Sequence, residues 1–299
     1  IKLNYPFIRK IIFHNGILIN DKNLKFVDNI FATIPYLKKF YKSKGIKSDL
    51  VYHYFDESIL TNISNNICVD QDLNFLGKTG RLDDQNHLNR FNFLKKVLSE
   101  KKINFECYSL EKTRDENNNK ITFKLIFRNS LLKIITYFPK YMINLLKKSK
   151  NHKIINLIND INKDTKQIFL HKIYKKKIKK SLYGLDMFRE IKRSKLILNI
   201  HTNESYNECG NLRMFETTGI GSCLITEKTK NLGDLFSPDE EVLTYENYDE
   251  FKSKYLEILK NDKLLNQIRL KGQKKTLEHH TTKSRVEKID ILIKDALKN

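Results

Sequence analysis

The chain has 299 residues, 40% hydrophobic and 11% aromatic and spread along its length, which gives it core material for one large or two ordinary domains and excludes a disordered chain. With 56 Lys and Arg against 35 Asp and Glu, the formal charge is +21, and such an excess attracts phosphate in a salt-dependent way. The excess is mostly lysine, with heavy Ile and Asn usage, no Trp and no arginine-rich run interleaved with aromatics, so no specific nucleic acid is expected.

Residues 10–14, KIIFH, read as a buried strand closed by the turn Asn15-Gly16. A helical pattern from about Val27 to Tyr41 follows, Gly45 ends it, and DLVYHYF is a second apolar segment. Strand, helix, strand suggests a parallel α/β unit. Residues 1–70 are too few for a full doubly wound domain, and the first residue is Ile1, so the expectation is the end of a truncated amino-terminal domain.

A new unit, residues 71–299, begins at DLNFLGKTG, where a short apolar strand stops at Gly77 and Gly80 before a helix from about His87 to Glu100. Glycines there either let a ligand's phosphates approach the backbone or simply make a tight turn. INFECYSL is the next strand. Residues 121–180 form a Lys-rich, helix-rich insertion with strand-like QIFLHKI near Ile168; it fits either a solvated face or a peripheral contact with an anionic membrane. The greasy run LLKIITYFPKYMINLL is interrupted by Lys133, Pro139 and Lys140 and falls short of the roughly 20 apolar residues of a span. The cysteines Cys68, Cys107, Cys209 and Cys223 lack C-x-x-C spacing, which argues against zinc or disulfides and for a reducing cytoplasm, at most peripheral to the inner membrane face.

From residue 184 helices and strands alternate: GLDMFREIKRS, KLILNIH, NLRMFETT, SCLIT, a short helix NLGDLF and a strand EVLTY. Three helical patterns, Tyr248 to Leu259, Lys263 to Leu277 and Lys283 to Ala296, close the chain. This order predicts a parallel sheet covered on both faces.

In such a sheet, ligands bind beyond the carboxyl ends of the strands. KLILNIH ends at His201, so the loop TNESYNECG lies at that edge, and the helix starting near Asn211 points its positive end there, where an anion is favoured. Gly210 removes a side chain where the backbone would come close. Arg213 and Glu216 share a helix face. The stretch is then either a half-buried helix with an ordinary ion pair, ended by Gly219, or a site in which Glu208 and Glu216 bind vicinal hydroxyls and Arg213 with the helix start takes a diphosphate.

Glu208-x7-Glu216 resembles the E-x7-E signature of GT-B glycosyltransferases. GLDMFREIKRSKLILNIHTN, NLRMFETTGIGSCLIT, NLGDLFSPDEEVLTYENYDEF and HHTTKSRVEKI together look like the carboxyl-terminal domain of the glycosyl transferase group 1 and CgeB-like (spore-maturation-type) families, and DLNFLGKTG with Arg90 resembles that domain's opening. The likeness covers about residues 72–299. It implies a GT-B-like fold whose carboxyl-terminal domain is Rossmann-like, in a bacterial, metal-independent enzyme of cell-envelope polysaccharide synthesis. That enzyme would move a hexosyl group, with retention, from a nucleotide-diphosphate sugar to a glycan, lipid-linked or protein acceptor, with no further cofactor. Glu216 would bind the donor ribose and Glu208 the sugar hydroxyls, with Glu204 as a substitute. Arg213, Asn211 and the amides around Gly210 would face the pyrophosphate, and His201 would lie near the sugar or simply pack. Gly77 would line the cleft, with Lys78 or Arg81 as phosphate ligands. Ser222 departs from the pattern, which commonly has proline there.

Two readings stand beside this one. Asp70-x-Asp72 resembles the metal-holding triplet of GT-A enzymes, since paired carboxylates can share a hard cation, or it is a solvated turn. A non-catalytic nucleotide-sugar binder, or a basic nucleic-acid binder, is the alternative to an enzyme.

Overall fold

A computed structural model of the chain describes residues 5, 7–19, 24, 26–64, 66–80, 84–109, 170–174 and 176–298. The expected Lys-rich insertion around 121–180 lies outside them except for its last residues. The described strands are β1 (Ile12–Asn15), β2 (Asn29–Ala32), β3 (Ser48–Leu50), β4 (Gln71–Leu76), β5 (Phe105–Tyr108), β6 (Ile178–Lys179), β7 (Ser194–Asn199), β8 (Cys223–Glu227) and β9 (Leu243–Tyr245). The helices are α1 (Pro35–Ser43), α2 (Leu88–Ser99), α3 (Leu170–Ile173), α4 (Gly184–Arg193), α5 (Leu212–Gly219), α6 (Tyr248–Ile258), α7 (Asp262–His279) and α8 (Thr282–Lys298).

All pairings between these strands are parallel, in two sheets ordered β1-β2-β3 and β6-β5-β4-β7-β8-β9. Renumbered within itself, the larger sheet runs 3-2-1-4-5-6, the doubly wound order whose winding reverses between its first and fourth strands, here β4 and β7. The period of two along each strand sorts side chains onto two cores. Leu196, Leu198, Cys223 and Ile225 pack toward α2, α6 and α7, whereas Ile197 and Leu224 pack toward α4 and α5.

Three elements differ from expectation. The strand read as buried over residues 10–14 is β1, whose Phe13 and His14 are exposed, because it is the edge of a three-stranded sheet. Residues 29–32 are a strand, not the first half of a helix. NIFA is a short apolar run whose spacing fits either element, and burial on both faces between β1 and β3 decides for strand. The helix begins only at Pro35, whose missing N–H costs nothing at a first position. Leu170–Ile173, in the segment read as strand-like, is a helical turn continued by Tyr174 N–H donating to the Leu170 carbonyl at 2.8 Å. Among the described residues no helix is long and apolar enough to cross a membrane.

The end of the chain returns to the first sheet. Phe55 N–H donates to the His280 carbonyl (2.8 Å), and Thr282 N–H donates back to the Phe55 carbonyl (3.0 Å). From the first turn of α8, the buried Arg285 donates through Nε to the carbonyls of Tyr52 (3.1 Å) and His53 (3.3 Å). It also donates through Nη2 to His280 Nδ1 (2.9 Å). With Nδ1 accepting, His280 Nε2 carries the proton and donates to the Leu235 carbonyl at 3.1 Å. Phe55, 1% exposed, lies so close over Gly219 that a Cβ there would stand 2.3 Å from the ring. Helix α5 and the segment that follows β3 therefore meet without a gap at that point.

Burial lowers His280 to about 4, opposed by its bond to Leu235 and reinforced by Arg285. His53 is likewise lowered to about 4 by burial, then by His14 and Arg285. A histidine depressed in the folded state contributes stability that is fully present above its unfolded pKa, near 6.5, and is lost as pH falls toward 4, because the unfolded chain binds more protons there. The expected loss for His280 between pH 7 and pH 5 is on the order of 1–2 kcal/mol. Urea denaturation at the two pH values should show a smaller difference for His280→Gln than for the parent chain.

Candidate functional site

The reversal of winding leaves the loops after β4 and β7 diverging, and the candidate residues gather at that crevice. Arg90, in the first turn of α2, bridges it. Its Nε and Nη2 donate to the Ile200 carbonyl beyond β7 (3.0 and 2.5 Å), and its Nη1 donates to the Lys78 carbonyl beyond β4 (3.2 Å). The guanidinium also stands 5.9 Å from the centre of the Phe75 ring. Burial brings its pKa down to about 10, opposed by Glu227, Tyr245 and Asp84. One flank of the crevice is closed by a second set of bonds. Asn203 N–H donates to the Asn86 carbonyl (2.8 Å), Asn203 Nδ2 to the Gln85 carbonyl (2.6 Å) and Asn86 Nδ2 to Glu204 Oε1 (2.6 Å). Glu204 is thereby engaged at the rim.

His201 follows β7 and is buried. Its backbone N–H donates to Glu227 Oε2 at 2.5 Å, and its Nε2 lies 3.4 Å from both Asn199 Nδ2 and Thr226 Oγ1. Burial lowers the imidazole to about 3, helped by the charge of Arg90. Such a shift favours the uncharged ring, which can give or take a hydrogen bond. Glu227 is raised by burial, against its bond to His201 and the charge of Arg90.

Asn211, the N-cap of α5, spends its side chain on β7: its Nδ2 donates to Asn199 Oδ1 (2.7 Å), and Asn199 Nδ2 donates back (3.3 Å). Asn211 makes no side-chain cap bond to the first turn of α5, where Met214 N–H donates to the Asn211 carbonyl at 3.2 Å. The close approach at Gly210, φ +150°, has a different cause from the one the sequence suggested. A Cβ there would lie 2.6 Å from the Thr33 carbonyl, so glycine is required by the first sheet's backbone. Gly77 and Lys78 are both exposed at the end of β4, and a Cβ at Gly77 would make only an ordinary contact. Arg81 lies outside the described residues.

The two glutamates are placed differently. Glu216, 8% exposed, is bound by Arg213 of the same helix, Nη1 to Oε2 at 2.8 Å, and that nitrogen also lies 3.2 Å from Met187 Sδ on α4. Burial raises Glu216 and lowers Arg213, and each partner opposes the other's shift. Arg213 Nε is buried with no hydrogen-bond partner. Glu208 reaches across to the first sheet's unit, where its Oε2 accepts from Tyr36 N–H at 2.5 Å. Arg213 and Glu216 are thus brought together, as are Asn211, Asn199 and His201. Glu208 is bound at the amino end of α1.

Asp70 and Asp72 stand at the amino end of β4, opposite the crevice. Asp70 pairs with Arg193 (2.7 Å) and Asp72 with Lys195 (3.1 Å). Among the described residues no group of three His, Cys, Asp or Glu is placed to hold a metal ion. Ser222, in place of the usual proline, donates to the Ile191 carbonyl at 2.6 Å and fixes the entry to β8 against α4. Sequence reasoning missed Glu227 and Asn199. Their only signal is a polar residue at the carboxyl end of an apolar strand, in LILN and LITE.

Residues 156–290, a little under half of the chain, match the family model described as Glycosyl transferase-like. No curated protein matches the chain. Among solved structures it resembles sucrose-phosphate synthase from Thermosynechococcus elongatus, with TM-score 0.57, 10% identity, and coverage of 98% of this chain and 69% of that one. It also resembles HepE from Anabaena, solved with UDP-glucose, with TM-score 0.57, 10% identity and coverage of 96% and 72%. A glycosyltransferase from Rickettsia africae gives TM-score 0.55, 12% identity and coverage of 96% and 71%. The chain has the GT-B-like parallel α/β fold of these proteins.

Removing one partner of the Arg213–Glu216 pair leaves a buried carboxylate alone. Arg213→Ala should cost about 3–5 kcal/mol in urea denaturation, while the double change Arg213→Met with Glu216→Leu should cost less than the single one.

Proposed function

We propose that this chain is a glycosyltransferase that moves a sugar from a nucleotide-diphosphate donor, bound at the crevice between β4 and β7, to a glycan, lipid-linked or protein acceptor. One observation carries the reading. At the winding reversal of a Rossmann-like sheet, the first turn of α5, free of any side-chain cap, starts at the strand ends beside a neutral His201, in a segment that matches a glycosyltransferase family model. The UDP-glucose complex of HepE, a protein of the same fold, supports it.

On this reading the diphosphate lies at the amino end of α5, and Lys78 supplies a cation from the β4 side. Negative charge grows on the leaving diphosphate as the oxocarbenium-like state forms. Fixed N–H groups and cations aimed there stabilise that state more than the bound donor. This neutralisation needs no metal. His201, held uncharged by burial, offers a hydrogen bond to the donor sugar without competing for the diphosphate charge. Glu216 accepts from the ribose hydroxyls, and Arg213 keeps its carboxylate ionised against the desolvation that raises its pKa. Hexosyl transfer with retention, residues 1–70 as the acceptor side, and a cytoplasmic enzyme peripheral to the inner membrane in bacterial envelope polysaccharide synthesis complete the proposal.

A melting panel with UDP, GDP, ADP, CDP and TDP tests it. One of them should stabilise the chain, by about 2.7 kcal/mol at a hundredfold excess over its Kd. Glu216→Ala should abolish the ligand-induced part of the shift, whatever its own effect on the unliganded melting temperature. No stabilisation by any of the five would overturn the reading.

A further inference from the structure

At the amino edge of the larger sheet, opposite the crevice, a cavity of about 460 Å³ opens where the chain enters β5 and β6. Its volume lies within the roughly 300–1,000 Å³ of small-molecule sites, but such sites are mostly apolar and this lining is cationic. Lys101, Lys102, Lys176, Lys177 and Lys179 surround it, and Glu106 is the one carboxylate among the described lining residues.

Ammonium groups gathered around one hollow repel one another unless anions stand between them. The nearby acids are engaged elsewhere. Glu106 is shared by Lys179 (2.6 Å), Arg193 (3.0 Å) and the Tyr108 hydroxyl, which donates to it at 2.9 Å. Glu100 pairs with Lys252 of α6 at 2.5 Å and accepts from the Lys102 backbone N–H at 3.3 Å. Asp72 pairs with Lys195 (3.1 Å) and accepts from Asn104 Nδ2 (3.1 Å). Lys177 donates to the Leu98 carbonyl at 2.9 Å, which ties the entry of β6 to the last turn of α2 and fixes one wall of the cavity. Lys101, Lys102 and Lys176 are exposed, and among the described residues their ammonium groups have no carboxylate within 4.0 Å. Three positive charges are therefore left uncompensated on a frame built from two strand entries and a helix end.

We propose that this cavity binds clustered phosphate groups, with Lys101, Lys102 and Lys176 as the cations that receive them. A lysine ammonium is a compact point charge suited to phosphate, and three of them call for more negative charge than one carboxylate supplies. The phosphates come either from a soluble polyphosphate or from the headgroups of an anionic bilayer, which lysines at a surface also attract. Because the strands are parallel, this cavity and the crevice lie at opposite ends of the sheet. The two sites can be filled together, and the inference does not rest on the donor reading.

Two probes on the intact chain test it: calorimetric titration with inorganic tripolyphosphate at low ionic strength, and co-sedimentation with phosphatidylcholine vesicles with and without phosphatidylglycerol. The combined variant Lys101→Ala, Lys102→Ala, Lys176→Ala changes only exposed side chains and should keep the parental melting temperature. It should weaken binding by about fivefold per lysine, on the order of a hundredfold in all. A variant with the same loss of charge at exposed lysines elsewhere, Lys260→Ala, Lys263→Ala, Lys283→Ala, should keep the parental affinity, as should Lys78→Ala at the crevice. Binding of tripolyphosphate without the charged vesicles identifies a soluble ligand; binding of the charged vesicles, and not the neutral ones, identifies a headgroup. Equal weakening in the two triple variants would reduce the site to diffuse attraction by the net charge and overturn the proposal. Loss of binding in Lys78→Ala alone, or no binding of either probe, would overturn it as well.

Discussion

The winding of the larger sheet reverses between β4 and β7, and Arg90 holds the gap this leaves to one width. Two carbonyls beyond the strand ends, of Lys78 and Ile200, accept from the same guanidinium, so neither loop can shift without breaking a charge-assisted bond. Everything attributed to the site is positioned relative to that bridge. His201 follows Ile200 directly, Glu227 holds the His201 amide, and Asn199 ties the start of α5 to the same strand. The charge of the half-buried Arg90 also helps lower the His201 pKa, after burial. One side chain therefore fixes the geometry of the crevice and adds to the effect of burial on its electrostatics.

Against this fixed half, the first sheet's unit is attached by contacts of two kinds. Around Phe55, Arg285 and His280 the attachment is buried, apolar and backbone-paired. Around Glu208 and Tyr36 it is one carboxylate, one helix end and one tyrosine stack on a strained loop. Contacts of the first kind are apolar and buried; those of the second kind are polar or stacked at the surface of the seam.

Much of this was legible in the sequence where strands are buried on both faces. KLILNIH, SCLIT and EVLTY are apolar runs bounded by turns, and they became β7, β8 and β9; NLRMFETT became α5. NIFA reads as helix because an apolar run before a helix continues its pattern, and only pairing with β1 and β3 separates the two. Ser222 looked like a departure and is instead a hydroxyl tie to Ile191. The contacts that sequence spacing leaves unseen are long-range. Nothing near Glu208 in sequence announces Tyr36, and nothing near Gly210 announces the Thr33 carbonyl that excludes a side chain there. Local spacing indicates which residue types can act at a strand edge; it does not indicate which of them the other half of the molecule has already taken.

The central claim is that the crevice between β4 and β7 holds a diphosphate at the amino end of α5. A crystal structure of the chain with the nucleoside diphosphate that stabilises it most tests this directly. The account predicts phosphate oxygens within hydrogen-bond distance of the first-turn amides of α5, with the ribose hydroxyls at Glu216. A nucleotide bound elsewhere, with α5 and Glu216 untouched, would contradict it.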